Sequence, residues 1–113
     1  MKEIRAIVRT DAVHRVLSAL HDCEHFPGAT ISPCEGQSRG RGPGGKFVPT
    51  EDSLDFRAMR SMTVLCADAV CDHLVAVIQK AAYTGNAGDG VVTVTNVERV
   101  VRIRSGEEHD DAV

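Results

Sequence analysis

Apolar residues recur along this chain with two different periods. In KEIRAIVR (residues 2–9), Ile4, Ala6 and Val8 alternate with Arg5, Ile7 and Arg9, the period-two pattern of a half-buried strand. Asp11 then offers an N-cap, and Val13, Val16, Leu17 and Leu20 recur at helical spacing, which predicts an amphipathic helix to about residue 22. His25-Phe26-Pro27-Gly28 is turn chemistry, and ATISPC reads as a second strand whose Pro33 implies an edge or a bulge. Alternation returns from Arg60 to Cys66, with Met62, Val64 and Cys66 on one face and Thr63 and Leu65 on the other. Asp68 is placed to cap a second helix that turns Val70, Leu74, Val77, Ile78 and Ala81 inward. VVTVTNV follows as the clearest strand, and the tail ERVVRIRSGEEHDDAV reads as extended, first basic and then acidic.

Between the second and third strands lies GQSRGRGPGGK followed by FVPTEDS, a long stretch with no period, of the kind that in compact domains usually marks function. The element order is strand, helix, strand, long loop, strand, helix, strand. That order predicts an α+β, ferredoxin-like βαββαβ fold with both helices on one face of an antiparallel sheet. The fold hosts many activities and decides none of them.

With 113 residues, 42% apolar and only 4% aromatic, the chain suits one domain with a thin core that oligomerisation would help to stabilise. A net charge of −3 gives no basic field for nucleic acid or membranes. The basic loop residues Arg39, Arg41 and Lys46 lack neighbouring aromatic rings for base stacking. No apolar run reaches the roughly 18 residues of a membrane span. The four cysteines form no CxxC and no signal peptide precedes them, so a reduced, cytoplasmic protein is expected.

Two features suggest an anion site. AAYTGNAGDGVVTV (81–94) carries three glycines, Gly85, Gly88 and Gly90, where a helix-to-strand turn needs one. Such a turn can converge backbone N–H groups on an anion and keep side chains out of its path. It can equally be a helix C-cap at Gly85 followed by a tight turn at Asp89-Gly90. Asp89 is placed to tie the loop to its own backbone, or to accept from a ligand hydroxyl or an arginine. In an extended VRIR, Arg102 and Arg104 share a face and form either a phosphate clamp or a solvated charged surface. Elsewhere, His21-Asp22-Cys23-Glu24-His25 and Cys71-Asp72-His73 are dense in ligating types without a strict zinc spacing, leaving Cys23 and His25 as metal candidates. Cys66 reads as a small buried hydrophobe. No nucleophile–base pair or paired carboxylate points to an enzyme.

AAYTGNAGDG, VERVVRIRSGEEHDDAV and the opening MKEIRAIVRTDAVHRVLSAL together resemble the P-II signal-transduction family across essentially the whole chain. The resemblance implies one domain over 1–113, with a T-loop at about 37–55, a B-loop at about 83–90 and a C-terminal tail at about 98–113. It implies a homotrimer that binds ATP or ADP, with AMP also open, in clefts between subunits, and a T-loop that docks onto a transporter or enzyme. Carried over, Gly88, Asp89 and Gly90 cradle phosphate, and Arg102 and Arg104 reach the phosphates from the adjacent subunit. Thr30, Thr63 and Leu65 meet adenine, while Gly36 and Arg39 close the loop base over the nucleotide. The chain departs from the family at Val91, where a phosphate-contacting lysine is expected, and at Gly40 and Met59, where a glutamine and a lysine for magnesium and 2-oxoglutarate are expected. The T-loop has no tyrosine, since the only one is Tyr83, although Ser38 and Ser53 offer hydroxyls. The expectation is therefore a divergent nucleotide sensor without the usual 2-oxoglutarate site or uridylylation. A metal- or small-anion-responsive module (heavy metal or bicarbonate) attached to a transport system is the alternative.

Overall fold

The computed structural model describes residues 1–37 and 56–113. Four strands, β1 (Lys2–Arg9), β2 (Thr30–Gly36), β3 (Arg57–Cys66) and β4 (Gly90–Asn96), form one sheet in the order β2-β3-β1-β4. Every neighbouring pair is antiparallel. Helices α1 (Val13–His21) and α2 (Asp68–Ala82) cross over between strands and pack on one face, giving the ferredoxin-like α+β fold expected from the element order.

The core follows the two periods. Ile4, Ala6 and Val8 of β1 and Met62, Val64 and Cys66 of β3 point into the helix layer and are almost fully buried. Val16 and Leu20 from α1 and Leu74 and Ile78 from α2 meet them. Cys71 and Ala82 also join the core, positions the α2 spacing did not single out. Pro33 sits in β2, an outer strand of the sheet, where its missing N–H breaks no interior ladder. β3 begins three residues earlier than the alternation indicates, at Arg57, because β2 runs antiparallel alongside it to Gly36.

Neither predicted cap acts as one. A 3-10 turn at Thr10–Ala12 precedes α1, so Asp11 lies inside that turn and the residue before the helix is Ala12. Asp68 is the first residue of α2, preceded by Ala67, and its carboxylate takes the N-terminal ammonium of Met1 at 2.7 Å instead of a helix N–H. This partner holds the Asp68 carboxyl below the usual carboxylate range. Helix α2 ends on Tyr83 in extended backbone, so Gly85 is not its C-cap but a left-handed residue, φ 86°, further along the turn.

The tail departs from the extended form. Val101 bridges Glu108, and the chain between them folds into a tight turn through Gly106, φ 75°. Arg102 N–H donates to the Glu107 carbonyl and Gly106 N–H to the Arg102 carbonyl, both at 2.8 Å. Arg102 and Arg104 therefore belong to a turn and not to a strand. An ion pair from Arg99 to Glu108 fastens its base.

Candidate functional site

The sheet face opposite the helices carries the residues in question. On β3 the alternation puts Arg57, Met59, Ser61, Thr63 and Leu65 on that face, and Thr30 of β2 lies directly across from Thr63. The tail turn folds toward the same region. A cavity of about 670 Å³ brings Thr30, Thr63, Leu65, Arg102 and Arg104 together in one wall. Two hydroxyls, one aliphatic surface and two guanidiniums, each of the latter able to grip an oxyanion bidentately, thus stand side by side although the first, Thr30, and the last, Arg104, lie far apart in sequence.

The glycine turn lies elsewhere. Its organiser is Asp89, whose carboxylate accepts from the N–H groups of Thr84 (2.7 Å) and Gly85 (3.1 Å), from the Thr84 hydroxyl, and from Arg9 Nε at 3.2 Å. The Thr84 bonds, with those of Arg9 and Gly85, push its pKa down to about 2. Arg9 also donates to the Ala87 carbonyl at 2.6 Å, pinning the turn to the end of β1. Asp89 therefore ties the loop to its own backbone, the first of the roles open to it.

Gly90 is required by packing. With φ 108° and paired to Val8, a Cβ there would stand 1.8 Å from the Ile7 carbonyl oxygen. Gly88, φ 90°, faces side chains instead: a Cβ would meet Arg57 Nη1 at 2.6 Å and Arg9 Nη2 at 3.4 Å. The turn thus presents an open backbone bracketed by two guanidiniums. Gly36 joins this end of the sheet, since it pairs with Arg57.

Within one chain these two groups do not meet. Arg57, beneath Gly88, and Thr63, in the cavity wall, are six residues apart on one strand, a separation of about 20 Å. Arg39 and the rest of 38–55, including Gly40, Arg41 and Lys46, lie outside the described residues. Met59 is buried, its Cγ 3.5 Å from where a Gly36 Cβ would be.

Among the described residues no three His, Cys, Asp or Glu side chains stand together as a metal site. Cys23 donates its thiol to the Ala19 carbonyl, and His25 borders a separate hollow of about 360 Å³ with Cys66 and Asp110. Cys66 is buried, and burial first, then the neighbouring Cys71, pushes its thiol up to about 11. Sequence reasoning missed Arg9 and Arg57: each ends or begins a strand, and only the placing of β1 between β3 and β4 brings them to the glycine turn. No helix of the described residues is long and apolar enough to cross a membrane.

The fold and the two clusters describe a small α+β binding protein. The family model for nitrogen regulatory protein P-II matches residues 1–107. Nitrogen regulatory protein P-II of Azospirillum brasilense is 36% identical to the chain, and those of Pasteurella multocida and Haemophilus influenzae are 34% identical. Each comparison covers all 113 residues of this chain and the whole of the relative. The chain belongs to the P-II family. Members of this family are regulatory signal transducers and not enzymes; they bind adenine nucleotides and act on partner proteins as trimers.

Proposed function

We propose that this protein is a cytoplasmic, homotrimeric sensor of adenine nucleotides that controls a transporter or enzyme through the segment between β2 and β3. One observation carries the reading. The two groups, the glycine turn beside Arg9 and Arg57 and the wall of Thr30, Thr63, Leu65, Arg102 and Arg104, stand about 20 Å apart in a single chain. A ligand that needs both must lie between two chains. One protomer supplies the turn Gly88–Gly90, with Gly36 and Arg39 at the loop base. Its neighbour supplies Thr30, Thr63, Leu65, Arg102 and Arg104.

In that arrangement Leu65 offers an apolar surface to adenine, and the threonine hydroxyls donate to or accept from its edge. Arg102 and Arg104 close on the phosphates with charge-assisted bonds. Asp89 holds the turn in shape and leaves the ligand contacts to the backbone. Exposed apolar side chains support assembly: Ile103 is fully exposed at the tip of the tail turn, and Val91 and Val94 lie open on β4. Further copies of the chain would cover them.

Regulation follows from connectivity. The strands that flank the loop end at Gly36 and begin at Arg57, and Arg57 touches the glycine turn. A nucleotide that binds one loop arrangement more tightly shifts the population toward it, and the partner's affinity with it. Calorimetric titration of the intact oligomer with ATP, ADP and AMP tests the reading: saturable binding of at least one is expected, and none at millimolar ligand would remove it.

A further inference from the structure

The position after Asp89-Gly90 is Val91, whose side chain carries no charge for an anion, yet the turn is not short of positive charge. Arg9 is spoken for, its Nε on Asp89 and its Nη2 on the Ala87 carbonyl, so its charge is matched by the carboxylate beside it. Arg57 is different. It is exposed, it has no hydrogen-bond or ion-pair partner among the described residues, and its Nη1 would stand 2.6 Å from a Cβ at Gly88. The Arg9–Asp89 pair is neutral, and among the described residues Arg57 leaves the turn with one unmatched positive charge beside a left-handed glycine.

We infer that Arg57 is the turn's own phosphate-binding cation, reaching the terminal phosphates of the bound nucleotide from the first residue of β3. The inference rests on the nucleotide reading above and deepens it. Gly88 keeps the approach clear: any side chain there would fill the space the guanidinium now occupies, and the φ of 90° disfavours one in any case. Because an arginine grips two oxygens at once, this cation discriminates by phosphate number, favouring a nucleotide whose chain extends to the turn over one that stops short of it. Arg57 also opens β3, so a phosphate held there bears on the start of that strand.

The test is titration of wild type, Arg57→Ala and Arg104→Ala with ATP, ADP and AMP, with thermal unfolding of each unliganded protein as a control. Arg57 is exposed and has no partner among the described residues, so Arg57→Ala should unfold at the wild-type temperature. It should lose about tenfold or more in ATP affinity, less in ADP affinity and nothing in AMP affinity. Unchanged ATP affinity in Arg57→Ala, with Arg104→Ala weakened, overturns the assignment and leaves the nucleotide reading standing. An equal loss for all three nucleotides overturns it too, since that pattern is structural. Wild type that binds none of them ends both.

Discussion

Asp89 collects four donors, and the consequence is a dependence on pH. Its folded pKa of about 2 lies below the ordinary carboxylate value, so ionised Asp89 favours the folded state. That contribution is fully present above about pH 4 and is lost as pH falls through about 2. Asp89→Asn should therefore flatten the acid limb of the stability curve between about pH 4 and 2, measured by denaturant midpoints at each pH. At Arg104, truncation to Ala should cost about 1.5–3 kcal/mol of nucleotide binding, the range of a charge-assisted contact, and calorimetry would read it directly. Cys66 and Cys71 are buried, and burial raises the Cys66 thiol, so native-state alkylation at pH 8 should label the part-exposed Cys23 and Cys34 first. Mass spectrometry of the labelled peptides checks the order.

At the scale of elements, the same periods that reveal the fold measure its strength. Leu74 lies fully buried where α2 crosses the sheet, and Leu74→Ala should cost about 2–5 kcal/mol. Gly90→Ala acts by another route. It forces a left-handed alanine against the β1 backbone and should destabilise by about 3 kcal/mol, read as a lower denaturant midpoint without ligand. Strands and helices were legible because burial writes itself into spacing: Ile4, Ala6 and Val8, or Val16 and Leu20, face the core that their periods imply. Caps were not. Asp68 has the right chemistry for a helix start, but its carboxylate pairs with the Met1 ammonium and no side chain caps the helix. The VRIR tail misled for a related reason. Alternation in four residues is shared by strands and turns, and Gly106, by permitting φ 75°, lets Glu108 fold back on Val101. Arg9 and Arg57 carry no local signal at all, since their meeting at Gly88 depends on strand order.

For the whole molecule, the central claim is that neither cluster suffices and that a second chain completes the site. Light scattering should give a mass near three times that of the chain, with Ile103 and the open valines of β4 covered in the assembly. Complementation goes further. Gly88→Glu places a carboxylate in the turn, and Arg104→Ala weakens the clamp, so homogeneous trimers of either variant should bind ATP weakly or not at all. Subunit exchange between the two creates seams in which an intact turn faces an intact clamp. Calorimetric titration of the exchanged mixture with ATP should show a fraction of sites restored to wild-type affinity; a mixture that binds no better than its two parents, beside a wild type that binds well, would contradict a site shared between chains.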